Sequence, residues 1–164
     1  MLQLHCNKPK LAGGALAQHR TVETLWRLIG VHRTQGALVH HAIDVTTVEA
    51  ARACHDHGIK VMMGAPNLIR GGSHSGNVAA KDLAQLELLD VLSSDYVPAA
   101  LLLAAAQLGE LWGDIARGLA TVTSAPADAV NLTDRGRIEI GKRADLIRFR
   151  MRAGVPALGA VWSR

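Results

Sequence analysis

The sequence predicts an α/β fold built on a parallel sheet, and three observations carry that expectation. The run Ile59-Lys60-Val61-Met62-Met63-Gly64 is short and almost continuously apolar, as a parallel strand buried on both faces must be. A loop, a helical stretch and a second apolar run from Leu89 to about Ser93, with Asp90 inside it, come next. Strand, loop, helix, strand is one crossover unit of a parallel sheet or barrel. Finally, 164 residues of which 49% are hydrophobic can bury a sizeable core as one ordinary globular domain.

The elements follow in order. Residues 1 to about 42 show little periodicity, and only Thr21 to Ile29 suggests a short helix, with Thr21 placed to cap it. From Thr46 the pattern sharpens. Thr46 or Thr47 can cap a helix running through His57, on which Val48, Ala51 and Ala53 recur on a face, and Gly58 can end it. After the first strand, Pro66, Asn67, Gly71, Gly72, Ser73, Ser75 and Gly76 mark a long loop, and a helix is expected from about Asn77 to Leu88. Pro98 can open the next helix, Gly109 should separate it from another around Leu111 to Leu119, and Ala127 to Leu132 reads as a short one. The tail then turns β, with strands at Gly136 to Ile140 and Ala144 to Phe149 about a Gly141-Lys142 turn. No internal repeat or low-complexity segment appears.

Charge is unevenly spread. Up to Ala42 there are five basic residues (Lys8, Lys10, Arg20, Arg27, Arg33) and one acidic residue, Glu23, which already makes the net +4 of the whole chain. The rest carries thirteen of each sign, so the basic balance belongs to the segment least like the remainder and argues against a nucleic-acid partner. The longest apolar run, Val97 to Ala106, is broken by Gln107 and followed by Glu110 and Asp114, well short of the roughly 18 residues a bilayer span requires. No membrane partner is expected. Lys8 and Lys10 precede no apolar stretch of the kind a secretory signal needs, so a cytoplasmic location is expected. Cys6 and Cys54 lie far apart in no metal-ligand spacing, and read as buried or incidental thiols.

In parallel α/β architectures the working residues sit on loops at the carboxyl ends of strands. The first such loop, Gly64 to Asn77, sets Arg70 among small residues and exposed backbone N–H groups; it is either a phosphate cradle or an ordinary glycine-rich turn. The second begins Ser93-Ser94-Asp95-Tyr96-Val97-Pro98. Asp95 can bind a metal or act as a general base, or it can simply cap the helix at Pro98. His55 and His57, two apart on a helix, point away from each other and are expected on the surface. His40 and His41 would face opposite sides of a strand and are not expected to be ligands together.

The runs Val61 to Asn67, Arg70-Gly71-Gly72-Ser73-His74-Ser75-Gly76-Asn77 and Leu89 to Pro98 closely resemble the PhnM-type alpha-D-ribose 1-methylphosphonate 5-triphosphate diphosphatases. The ending, Ser124-Ala125-Pro126-Ala127 with Gly136-Arg137-Ile138 and Gly141 to Leu146, is similar to that of the wider amidohydrolase superfamily. The resemblance runs from about Thr46 to Trp162. It implies the C-terminal portion of a distorted (β/α)8 TIM-like barrel with short strands of a composite β-sandwich. On that reading residues 44–122 are the last βα units of the barrel, 123–164 a C-terminal helix and sandwich strands, and 1–43 an unmatched segment. The implied reaction hydrolyses a small phosphorylated substrate, the 5-triphosphate, to the 5-phosphate and diphosphate in the carbon–phosphorus lyase pathway of phosphonate catabolism. By position, Asp95 would help hold a divalent metal, zinc or manganese, and take a proton from the attacking water. Arg70, Ser73, His74 and Asn67 would contact substrate phosphate, and Lys81 reads as a solvated charge.

The departures from that family matter as much. Its early His-x-His pair, bridging carboxylated lysine and Ser-His-Asp-Asp motif have no counterpart in residues 1–45, and Asp44-Val45 stands where Phe-Pro is expected. One aspartate cannot hold a catalytic cation that needs about three or four protein ligands, so the metal site is expected to be incomplete. The change of composition near residue 43 suggests a first segment out of register with the ancestral gene, or replacing it. The expectation is therefore a truncated chain that is inactive alone; the alternative is a non-catalytic remnant that works through a homo-oligomer or a partner chain.

Overall fold

The computed structural model describes residues 42–73 and 76–163. Expectations for residues 1–41, including the Thr21 to Ile29 helix and His40 and His41, lie outside the described residues.

Helix α1 (Val48–Asp56) starts where Thr47, in extended backbone, accepts a hydrogen bond from the Ala50 N–H through its hydroxyl at 3.2 Å. Its inner face buries Ala50, Ala51 and Cys54, and Gly58 at φ +68 lets the chain reverse into the sheet. The sheet has three parallel strands in the order β1 (Ala42–Asp44), β2 (Lys60–Gly64), β3 (Val91–Ser93). In register, Ile43 lies beside Val61, Met62 beside Val91, and Gly64 beside Ser93. Val61, Met62 and Met63 are all buried, which explains the unbroken apolar run of β2. On the far side of β3 the ladder passes to a loop, where the Leu92 N–H donates to the Thr121 carbonyl at 3.0 Å.

The long loop expected after β2 instead begins with a short helix, α2 (Ala65–Arg70). Pro66 sits in its first turn, where no N–H is required, and Gly71 in the left-handed region closes it. Helix α3 (Ala80–Gln85) is shorter than the sequence suggests, and β3 begins two residues later than expected. Helix α4 (Ala100–Trp112) runs straight through Gly109 to a left-handed Gly113. Gly109 is there for contact, not for a break: a Cβ on it would lie 2.8 Å from the Ile115 Cα, in the helix that follows. That helix, α5 (Ile115–Ala120), is capped by Asp114, whose carboxylate accepts from the Arg117 N–H at 3.0 Å. The core is shared by α1, α3 and α4 against the sheet, with Cys54, Val61, Leu83, Leu92, Ala104 and Leu108 among its members.

Helix α6 (Ser124–Ala129) lies earlier than expected, and no strand forms at 136–140. Both flanking glycines, Gly136 and Gly141, are held at φ +88, and Gly136 sits where a Cβ would be 2.8 Å from that of Ala127. Arg137 is tied by two hydrogen bonds, at 2.8 and 2.6 Å, to Asp128, and Lys142 donates to the Thr133 carbonyl at 2.9 Å. The segment is thereby pinned as a loop. The tail pairs as a hairpin instead, β4 (Leu146–Arg152) with β5 (Val155–Trp162), joined by Ala153 and Gly154, both at positive φ as a two-residue hairpin turn requires. Pairing places Ile147 with Val161, Phe149 with Leu158, and Met151 with Pro156, so one hairpin face is wholly apolar. Most of that face is exposed.

Candidate functional site

Because β2 and β3 run parallel with Gly64 beside Ser93, the segments leaving their carboxyl ends emerge side by side. The β2 segment is α2 and the turn after it; the β3 segment is Ser94-Asp95-Tyr96. Between them lies a cleft of about 200 Å³. Asn67, Arg70 and Ser73 border it from the first segment, Asp95 and Tyr96 from the second, and Asn77 from the approach to α3.

Asp95 sits at φ +50 in a turn closed by the Val97 N–H donating to the Ser94 carbonyl at 3.0 Å. Aspartate tolerates this left-handed backbone better than most residues do. A Cβ on Gly64 would stand 2.9 Å from Asp95 Oδ2, so the end of β2 leaves room for the carboxylate because that position is glycine. The capping alternative does not hold. Helix α4 starts at Ala100 behind Ala99 and has no side-chain cap hydrogen bond.

Arg70, the last residue of α2, donates from Nη1 to the Tyr96 hydroxyl at 2.9 Å and so bridges the two segments. Asn67 Oδ1 accepts from the Ala80 N–H at 2.9 Å, and its Nδ2 donates to the Val78 carbonyl at 3.4 Å. It staples the turn that carries Ser73 to the start of α3, so the N–H of Ala80 already has an acceptor within the chain. His74 lies outside the described residues. Lys81 is exposed on α3. The buried Asn77 Oδ1 has no hydrogen-bond partner among the described residues.

The opposite end of the sheet holds a centre the sequence does not single out. Asp90, just before β3, accepts from the Val61 N–H at 2.8 Å, from His55 Nε2 at 2.8 Å and from Lys60 Nζ at 3.2 Å. Burial alone would raise its pKa, but these hydrogen bonds and the Lys60 charge outweigh it and hold the carboxyl below its ordinary value. His55 thus has a specific inward partner, while His57 Nδ1 bonds the Ala53 carbonyl at 2.8 Å. Cys54 is fully buried, and burial, reinforced by the Asp90 charge, pushes its thiol up to about 11. The signal for Asp90 was available in principle, since a carboxylate inside an otherwise apolar strand needs donors.

Among the described residues, no three His, Cys, Asp or Glu side chains converge as a metal site, and Asp95 is the sole carboxylate in the cleft. Asp95 supplies one ligand, Asn67 Oδ1 is already engaged by the Ala80 N–H, and Ser73 adds one neutral oxygen, which falls short of the three or four ligands a catalytic divalent ion takes. The described residues alone therefore do not fit the cation that the family resemblance implies. No helix among them is long and apolar enough to cross a membrane.

Comparison with known proteins gives a match to alpha-D-ribose 1-methylphosphonate 5-triphosphate diphosphatase of Escherichia coli (strain K12). The two are 57% identical over 105 residues, which is 62% of this chain and 28% of the E. coli protein. The match thus spans under a third of that relative's length. No protein-family model matches the chain, and no solved structure gives a significant match.

Proposed function

We propose that the cleft is the phosphate-handling face of a diphosphatase that hydrolyses alpha-D-ribose 1-methylphosphonate 5-triphosphate to the 5-phosphate and diphosphate in phosphonate catabolism, in the cytoplasm. The observation that carries this is the meeting of Arg70, Ser73 and Asp95 at the carboxyl ends of two adjacent parallel strands, in a chain 57% identical to such a diphosphatase over 105 residues. In this reading β1 to β3 are the last strands of a distorted (β/α)8 barrel of the amidohydrolase type, and β4 and β5 belong to its composite sandwich. Arg70 offsets charge on a phosphoryl group, and Ser73 offers a hydroxyl to a phosphate oxygen. Asp95 accepts the proton of the water that attacks phosphorus, next to which its carboxylate is held by the tight turn over Gly64. A divalent cation would need ligands beyond the described residues.

Converting to asparagine the aspartate that aligns with Asp95 in a full-length relative should lower turnover on the order of 10³-fold, the range general-base loss produces, with thermal stability retained. Diphosphate release followed by phosphorus NMR reads this directly. Unchanged turnover would remove Asp95 from the mechanism. The present chain, assayed alone, is expected to show no turnover.

The exposed apolar hairpin face favours a second reading, a non-catalytic remnant that associates with another copy of this chain. Size-exclusion chromatography should then show a dimer that Ile147→Lys, at the face's exposed edge, converts to monomer. A wild-type chain that elutes as a clean monomer at high concentration would dismiss it.

A further inference from the structure

We propose that Tyr96 is a second anion-binding side chain of the cleft, its hydroxyl donating to a phosphoryl oxygen of a di- or triphosphate while it accepts from Arg70. The inference rests on the reading of the cleft as a phosphate site. Tyr96 follows Asp95 directly, and the left-handed turn at Asp95 brings both residues to the cleft's border. Tyr96 is 63% exposed, so core packing does not account for its position. Its oxygen accepts the Arg70 Nη1 hydrogen bond at 2.9 Å, which commits the phenol to a geometry in which its own proton must point elsewhere. A neutral O–H beside a guanidinium is the arrangement that suits an anion oxygen: the cation supplies attraction, and the hydroxyl supplies direction and a further hydrogen bond. The same pair offsets the repulsion a phosphate would meet from the neighbouring Asp95 carboxylate. Tyr96 also fixes the reach of Arg70 across the cleft, because the hydrogen bond ties the end of α2 to the segment that carries Asp95.

Donating to the ligand and positioning Arg70 both pass through this one hydroxyl, and its ring signal is read without overlap because Tyr96 is the chain's one tyrosine. The test uses the full chain, with tyrosine labelled on the ring carbons, and inorganic diphosphate as probe. The ring signal should move on titration, and calorimetry should give a saturable isotherm that Arg70→Ala abolishes. Tyr96→Phe keeps the ring and removes only the hydroxyl, and should weaken diphosphate about five-fold, the worth of one ordinary hydrogen bond. If wild type and Tyr96→Phe bind alike and the ring signal does not move, Tyr96 is not a ligand and the cleft reading survives without it. If the ring signal moves only as far in the presence of diphosphate as with equal ionic strength of chloride, the proposal is likewise overturned. No binding to wild type at all overturns both this inference and the phosphate-site reading.

Discussion

Replacing Asp90 with alanine should cost about 3 kcal/mol of folding stability and lower the melting temperature by roughly 10 °C. The magnitude follows from what the carboxylate holds. Its side chain is 16% exposed, and its removal leaves the Val61 N–H at the start of β2 without an acceptor and deprives His55 and Lys60 of their partner. The Lys60 contact contributes least, because that ammonium is half exposed. Asp90→Asn keeps an acceptor for the Val61 N–H and should lose only about 1 kcal/mol. The pH dependence follows with a definite sign. Burial opposes the lowering, yet the net folded-state pKa lies below the ordinary 3.8, so the contribution is complete above about pH 4 and is lost as pH falls through the folded value. Urea unfolding at pH 7 and at successively lower pH checks it. A wild-type minus Asp90→Ala difference that stays constant down to the acid unfolding of the wild type would mean that the carboxylate's charge is irrelevant.

Gly118→Val should unfold the second half of the described chain or cost more than about 4 kcal/mol, larger than ordinary overpacking because backbone lies in the way. A Cβ on Gly118 would run into the Ala105 carbonyl and lie 2.7 Å from the Gly109 Cα, so helices α4 and α5 touch through glycine on both sides. Even Gly118→Ala should destabilise, by about 2 kcal/mol, although alanine is the better helix former by about 1 kcal/mol. Gly72 supplies the control. None of the described residues lies within 4 Å of a Cβ there, so Gly72→Ala should be neutral within about 0.5 kcal/mol. Equal melting temperatures for Gly118→Ala and Gly72→Ala would mean that the close approach of the helices does not contribute.

Much of this arrangement was legible along the chain because it depends on neighbours in sequence. Thr47 capping α1, Gly58 ending it, and the apolar run of β2 are local matters of hydrogen bonding, backbone freedom and burial. Asp95 lies where the strand rule puts it, in the turn beyond the carboxyl end of β3, whereas Arg70 ends a helix where a loop was expected. Sequence pattern and structure part where one residue type serves two purposes. Pro66 reads as a breaker but opens α2, and Gly109 reads as a break but is a contact surface inside α4. Gly136 to Ile140 has a strand's composition, yet its flanking left-handed glycines and the Arg137–Asp128 pair hold it as a loop.

The sequence by itself determined the local pattern in the middle of the chain, the cap and end of α1 and the apolar run of β2, together with the resemblance on which the proposed chemistry rests. Tertiary structure decided partnership: that Arg70 reaches Tyr96 across 26 positions, that Asp95 rests over Gly64 and does not cap α4, and that Asp90 gathers Val61, His55 and Lys60 at the far end of the sheet. The reason is physical. Propensity, capping and hydrophobic period act over a few residues, whereas a hydrogen bond between distant residues exists only once packing has brought two strand ends to the same edge.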